Sequence, residues 1–588
     1  MKASSSKNCR TAQKRRLLFT LSMIFIMLLL LAWRLAYIMF VQADYYGNRA
    51  KDVQQRERAI KAERGIIYDR NGVIIAGNKP VSTISVIHNQ ITEPEKVISA
   101  LSEMLDLDEK EVRKRVEKVS SREKIKSNVD KEISDKIRNL GLDGVMVDED
   151  YKRYYPYNSL ASKVIGFTGA DNQGIIGLEV SYDSVLQGED GYILTTTNAR
   201  GIEIAGVAEE RIEPQAGKAL YTSIDINIQK FAEQAAKKVM EAKQAKSVRI
   251  IMMNPQNGEI YAMAGVPEFD LNDPYTLNVD SSGMTDKEKS EALNKMWRNT
   301  CVSDTYEPGS TFKIFTATAA LEAGVVKTTD TFSCPGYKIV EDRRIRCHKT
   351  TGHGGENFVQ GLQNSCNPVF IEVGARLGTE GFYKYLSQLK VLEKTGIDVP
   401  GEAAAIMHKQ ENVGAVELAT MSFGQSFQLS PIRLLTMVSS VINGGNMVIP
   451  HFGVKVEDKA ENTIQTIKYE SEEGIVSKET SETMREMLES VVSEGGGSKA
   501  AVEGYLVGGK TGTSEKLPRS SKKYIASTLG FAPAENPVVL AAVLIDEPQG
   551  LYYGGTIAAP VVSELLDDVL PYLGIERSEA SPSPKAQN

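Results

Sequence analysis

A serine, a lysine three residues further on and a glycine just before them make an arrangement that can activate a hydroxyl. Glu307-Pro308-Gly309-Ser310-Thr311-Phe312-Lys313 runs into Ile314 to Glu322, a stretch of good or tolerable helix formers. Gly309 permits a tight turn, so Ser310 falls at a helix N-terminus and Lys313 stacks on the same face. A serine hydroxyl is a poor nucleophile until a neighbouring base takes its proton. Lysine can be that base when partial burial and the positive end of a helix lower its pKa. Further on, Gln363-Asn364-Ser365-Cys366-Asn367-Pro368 holds an S-x-N triplet between helical stretches. Val507-Gly508-Gly509-Lys510-Thr511-Gly512-Thr513 then places K-T-G-T among residues of strand type, with glycines that let a backbone and a substrate approach closely. Each motif is weak alone. The three in this order are a strong joint signal.

Two other patterns compete for attention. Cys334, Cys347, His353 and Cys366 follow C-x12-C-x5-H-x12-C between the first two motifs. Three thiolates and one imidazole suit tetrahedral zinc, which holds sulfur at about 2.3 Å and nitrogen at about 2.0 Å. The spacing is wider than in small zinc knuckles, and a Cys334–Cys347 disulfide or unrelated buried cysteines fit it too. His348 is the substitute ligand if His353 does not serve. Cys366 is the middle residue of the S-x-N triplet, so any ligand set that includes it abuts that segment. Such an ion would be structural, pinning residues 331–367. Cys301 reads as packing, and Cys9 lies before the apolar run described below. The second pattern, Gly504 to Thr511, matches the phosphate-loop string G-x-x-x-x-G-K-T. That loop needs a strand before it and a helix after it, whereas Gly512 follows at once and Pro518 soon after. A nucleotide-binding protein is the remote alternative.

The elements that must position these residues are legible in part. Ile66-Ile67-Tyr68, the Asn71-Gly72 turn and Val73-Ile74-Ile75 give a hairpin signal. Residues 93–140 carry apolar residues at helical spacing (Val97, Leu101, Leu105; Val112, Val116, Val119) and predict amphipathic helices with solvated faces. Arg153-Tyr154-Tyr155-Pro156 and Gly174 to Glu179 are turn-rich and hard to place by periodicity. A boundary falls near Pro214 to Gly217. Asp225 then caps a helix from Ile226 to about Glu241. Val248–Met253 and Glu259–Met263 form a hairpin, and Tyr524–Phe531 and Val538–Ile545 two more strands. Strand pairs at both ends with mostly helical sequence between them predict one antiparallel sheet with a helical insert.

At 588 residues, with 41% hydrophobic and 25% charged residues, the chain can bury a sizeable core, which excludes wholesale disorder. A net charge of −7 leaves no global case for nucleic acid, and five cysteines are too few for a disulfide scaffold. Leu17 to Trp33 is almost wholly apolar, with apolar residues resuming after Arg34 as far as Val41. A run of roughly 20 such residues spans a bilayer core. Lys2, Lys7, Arg10, Lys14, Arg15 and Arg16 precede it, so the positive-inside rule puts residues 1–16 in the cytoplasm and the rest across a single-pass anchor. No A-x-A cleavage site follows. The expected organisation is a tail (1–16), an anchor (17–41), an N-terminal domain (42–215), a second domain (216–576) and a disordered polar tail (577–588).

The motif order S-x-x-K, S-x-N, K-T-G is that of penicillin-binding proteins and serine β-lactamases. The chain resembles a class B penicillin-binding protein along nearly its whole length outside the membrane. The anchor, Arg64 to Gly72, Gly177-Leu178-Glu179, Glu307 to Lys313, Gly424-Gln425 with Pro431, and Asn443-Gly444-Gly445 carry the likeness. Asn364 to Pro368 and Val507 to Thr513 look most like the stage V sporulation branch, which is close to the septal division enzymes. The resemblance implies an α/β fold class: an elongated mixed α+β pedestal of the dimerisation type, then a β-lactamase-like serine-transpeptidase domain whose antiparallel sheet is flanked by helices. It implies a peptidoglycan D,D-transpeptidase that binds D-Ala-D-Ala stem peptides and β-lactams. Ser310 is then the nucleophile and Lys313 the general base, with Ser365 and Lys510 relaying the proton and Asn367 holding the stem-peptide backbone. Thr511 and Thr513, around Gly512, meet the terminal carboxylate. No cofactor is required for catalysis, and the expected partner is a multi-pass membrane glycan polymerase. A penicillin-binding sensor or non-catalytic scaffold, and a carboxypeptidase or β-lactamase, are the competing readings.

Overall fold

From Ser5 to Phe40 the chain is one helix. Its stretch Lys14–Phe40 has a mean hydropathy of 2.3 and is long and apolar enough to cross a membrane. Its apolar side chains from Leu17 to Phe40 are almost all exposed. This computed structural model describes residues 5–46, 55–120, 122–196 and 210–578. Most of the tail expected at 577–588 lies outside the described residues. Its first residue, Arg577, is docked: Nη2 donates to Asp567 Oδ1 at 2.6 Å and Nη1 to the Glu503 carbonyl at 3.0 Å.

The remainder divides into two compact units, and not by a single cut near residue 215. One unit comprises Met1–Ala62, Pro80–Lys152 and Glu189–Gln215; the other comprises Glu63–Lys79, Arg153–Gly188 and Ala216–Asn588. The two early segments of the second unit are tied to each other by a buried ionic cluster. Arg64 Nε and Arg153 Nε each lie 2.6 Å from a different oxygen of Glu179, and all three side chains are almost fully buried. Arg153 Nη1 also donates to the Gly65 carbonyl at 2.8 Å. The paired charges and carbonyl contacts make such burial tolerable, with Arg153 Nη2 the one nitrogen of the two guanidinium groups buried without a partner among the described residues. This is the role of the turn-rich Arg153 and Gly177–Glu179 segments.

In the first unit, helices Pro94–Leu105, Glu109–Val116 and Lys131–Asn139 close a small core around Ile84, Leu101, Val112 and Ile125. The expected apolar stripe holds from Val97 to Val116 but fails at Val119, which is 81% exposed. The helix has already ended, with Glu117 as its C-cap. A separate antiparallel sheet joins Gln55–Ile60, Gly191–Thr196 and Glu210–Ile212.

The second unit is built on a five-stranded antiparallel sheet. Its order is Ile260–Val266, Ser247–Met253, Val539–Asp546, Tyr524–Ala532, Gly508–Glu515. The central strands are buried on both faces, which is why they read as continuous apolar runs with no alternation. Helices Ile226–Lys243 and Ala559–Tyr572 share one core with Val248, Ile250, Ala262 and Val543 of the sheet. Asp225 caps the first of these helices by accepting from the amides of Asn227 and Ile228, as its position predicts. A second core holds the helices Lys313–Glu322, Asn367–Gln388, Pro431–Ile442 and Lys478–Ser493. The first two motifs lie among these last elements, and the third lies on the edge strand Gly508–Glu515.

Candidate active site

The serine stands on a single 3-10 turn, Gly309–Phe312, which leads directly into the helix Lys313–Glu322. Gly309 has φ +57°, and a Cβ there would lie 2.8 Å from Ser514 Oγ and 3.2 Å from the Thr513 carbonyl. The turn is fixed from two sides. The Gly309 amide donates to the Gly424 carbonyl at 2.9 Å. Glu307, buried before the turn, accepts from the Ser426 amide at 2.9 Å and pairs with Arg519 at 3.1 Å. Sequence reasoning did not find Arg519 or Ser426, whose separation from Glu307 leaves no local signal.

Lys313 is fully buried and reaches the second motif. Its Nζ donates to the Ser365 carbonyl at 2.7 Å, to Ser365 Oγ at 3.2 Å and to Asn367 Oδ1 at 2.8 Å. The S-x-N triplet follows the short helix Phe358–Gln363 as a Schellman turn. The Ser365 amide donates to the Leu362 carbonyl at 3.1 Å and the Cys366 amide to the Gly361 carbonyl at 2.9 Å. The left-handed position of that turn usually goes to glycine, yet here Ser365 holds φ +52°. Strain of this kind persists where a side chain is needed at that point. Cys366 then caps the helix Asn367–Gln388.

The third motif occupies the edge strand Gly508–Glu515, next to the serine turn. Gly512 has no room for a side chain: a Cβ would lie 2.7 Å from Ser527 Oγ and 3.0 Å from Thr311 Cγ2. Lys510 is buried and its Nζ donates to the Thr511 carbonyl at 3.2 Å. Thr513 Oγ1 accepts from the Gly554 amide at 3.0 Å, which leaves its own hydroxyl proton to donate elsewhere. Because Lys510 and Thr511 lie in a strand, no helix N-terminus follows the G-x-x-x-x-G-K-T string and it forms no phosphate loop.

Neither lysine has a carboxylate ion-pair partner among the described residues. Burial holds Lys313 down to about 8, against an opposing pull from Cys366, Cys347 and Glu356. Burial and the neighbouring Lys313 hold Lys510 well below the ordinary lysine range. Two neighbouring buried ammonium groups disfavour each other's charge.

The cysteine pattern also converges. One ligand atom from each of Cys334, Cys347, His353 and Cys366 lies within 4.8 Å of every other. The three cysteines are buried and free, with no disulfide among the described residues. The Cys347 and Cys366 thiols interact directly, which lowers the first proton loss, at Cys347, and raises the second, at Cys366. Cys301 packs as expected, with its Sγ 3.6 Å from the Ala264 carbonyl and its thiol pushed up to about 12 by burial.

Comparison with known proteins accords with this geometry. The family profile "Penicillin binding protein transpeptidase domain" matches residues 248–567, and "Penicillin-binding Protein dimerisation domain" matches residues 59–222. The chain is 39% identical over 574 residues to stage V sporulation protein D of Bacillus subtilis, covering 96% of this chain and 86% of that one. It is 31% identical to the probable peptidoglycan D,D-transpeptidase PenA of Neisseria gonorrhoeae, over 95% of this chain and 93% of the relative. A peptidoglycan synthetase from Bifidobacterium adolescentis shares the fold, with a TM-score of 0.73 at 22% identity, over 90% of this chain and 99% of that one. With a dimerisation domain, a transpeptidase domain, a lysine that joins the first motif to the second and a third motif packed on the serine turn, the chain belongs to the class B penicillin-binding proteins.

Proposed function

We propose that Ser310 is the acyl-accepting nucleophile of a peptidoglycan D,D-transpeptidase, with Lys313 as its general base. The observation that carries this reading is the position of Lys313 Nζ, one turn from Ser310 and bonded to both Ser365 and Asn367. Lys313 takes the Ser310 proton as Oγ attacks the carbonyl carbon of the penultimate D-alanine. Backbone N–H groups of Ser310 and Thr513 hold the oxyanion; such a preorganised donor is worth about 3 kcal/mol. The C–N bond then breaks, and Ser365 with Lys510 returns the proton to the departing D-alanine amine. Asn367 holds the stem-peptide backbone. Thr511 and Thr513 donate to the terminal carboxylate, and Lys510 adds charge. An acceptor amine attacks the acyl-enzyme, forming the cross-link and freeing Ser310.

The strand Gly508–Glu515 is the last of its sheet, so its outer edge has no strand partner among the described residues and is where an extended peptide would add. β-Lactams imitate the D-Ala-D-Ala end and acylate the same serine. The chemistry needs no cofactor, and a zinc ion at the Cys/His cluster belongs to this reading as a structural ion. The basic residues before the apolar helix support a cytoplasmic N-terminus, with the catalytic domain outside. A multi-pass glycan polymerase is the partner this reading assigns to the residues of the N-terminal domain.

The test is turnover of a synthetic D-Ala-D-Ala stem peptide with an added acceptor amine. Cross-linked product and free D-alanine together are the expected result. D-alanine without cross-links points to a carboxypeptidase, and neither product points to a sensor or scaffold.

A further inference from the structure

We infer that Cys334, Cys347, His353 and Cys366 hold one zinc ion, and that this ion fixes the S-x-N segment against which Lys313 is set. The inference deepens the structural-ion part of the proposed function, and its second half rests on the catalytic reading of Lys313.

Four element ends deliver the ligands. Cys334 closes the strand Thr331–Cys334, Cys347 follows the strand Arg343–Arg346, His353 precedes the strand Gly354–Asn357, and Cys366 caps the helix Asn367–Gln388. Two glycines make this convergence possible. A Cβ on Gly336 would lie 2.1 Å from the Thr350 carbonyl, and one on Gly352 would lie 2.3 Å from the Cys334 carbonyl. Tetrahedral zinc with the usual bond lengths sets ligand atoms roughly 3.5–3.8 Å apart. Cys347 Sγ is 3.7 Å from His353 Nδ1, and no pair exceeds 4.8 Å, so an ion needs a contraction of about 1 Å at most. A disulfide would use two sulfurs and leave the third thiol and the imidazole buried with no purpose.

A second observation points to an ion. Glu356 is only 4% exposed, and its Oε2 has no hydrogen-bond partner among the described residues. That oxygen lies 3.8 Å from His353 Nδ1. That oxygen and Cys347 Sγ face the same ring nitrogen, and a cation placed among these groups would stabilise a buried carboxylate oxygen that has no donor among the described residues. On binding, each thiol releases its proton to bulk solvent, and no electron moves.

The coupling to catalysis is geometric. Cys366 lies between Ser365 and Asn367, the two residues that accept from Lys313 Nζ. The same loop grips the segment twice more. Glu356 Oε1 accepts from Asn364 Nδ2 at 2.7 Å, and the Arg346 carbonyl accepts from Asn367 Nδ2 at 3.1 Å. Ser365 is held in a left-handed conformation that its own side chain disfavours. The ion keeps it there, so the four ligands are positioning residues for the lysine.

The experiment uses the full chain in detergent, purified without chelator under mild reductant. Metal content is read by elemental mass spectrometry, β-lactam acylation of Ser310 by stopped time points, and the fold by thermal melting. One zinc per chain is expected. Chelator treatment should slow acylation about tenfold or more, and added zinc should restore it. Cys334→Ser, remote from the triplet in sequence, should lose the metal and acylate slowly. Cys334→Asp supplies an oxygen ligand of similar size and should keep both. Zinc well below one per chain, with a mass two units under the fully reduced value, would overturn the site in favour of a disulfide. Stoichiometric zinc whose removal leaves the acylation rate unchanged would overturn the positioning role. Stoichiometric zinc in a chain that never acylates Ser310 supports the metal site and counts against the catalytic reading.

Discussion

Ser365 holds two demands that conflict. The Schellman turn asks for glycine at its left-handed position, while the site asks for a hydroxyl beside Lys313 Nζ. Ser365→Gly should therefore leave the protein as stable as before, or about 1 kcal/mol more stable, while acylation falls steeply. Thermal melting alongside acylation kinetics checks this, and a destabilised variant would mean that the hydroxyl holds the turn. Lys313 supplies a second expectation. As a base it must be neutral, and its pKa is held down to about 8. Below that pH Nζ carries the proton and cannot accept another, so acylation should rise from pH 7 to pH 9 with its midpoint near 8. A flat profile would remove Lys313 from the role of base. At this scale the sequence was most informative, because S-x-x-K is a local spacing and a helical turn converts it directly into proximity. The ionic clasp of Glu307 on Arg519 was illegible, since 212 residues separate the two.

Among the elements, the turn before the serine helix depends on a glycine that only the structure explains. Gly424 has φ +87°, and a Cβ there would sit 2.0 Å from the Gly309 carbonyl. Gly424→Ala should cost at least about 2 kcal/mol in stability and displace Ser310, with acylation falling further than stability alone accounts for. Melting and acylation of the same preparation separate the two effects. The Asp225 cap, the central strands and the amphipathic helices were legible because caps, apolar runs and period are local signals. Val119 was misplaced because the helix stops before it, and helix ends are weakly coded where no glycine or proline marks them.

For the whole molecule, the two-unit division is the feature that spacing could not supply. Arg64 and Arg153 both find Glu179, at separations of 115 and 26 residues, and tie the two early segments of the second unit to each other. Those residues could be recognised as a family likeness, but no periodicity indicated that they were buried together. Glu179→Ala would leave the buried Arg153 guanidinium without its carboxylate and Arg64 with Asp183 alone, at a cost of about 3–5 kcal/mol. A large fall in melting temperature is the expected readout, and a shift within experimental error would mean the cluster is accessible to water. The central claim concerns one oxygen atom in this molecule: Ser310 Oγ is the acyl acceptor. Intact-mass analysis with a β-lactam, wild type against Ser310→Ala, tests it most directly. One adduct per wild-type chain, mapped to Ser310 and absent from the variant, is the predicted result; an adduct that persists in Ser310→Ala would contradict it.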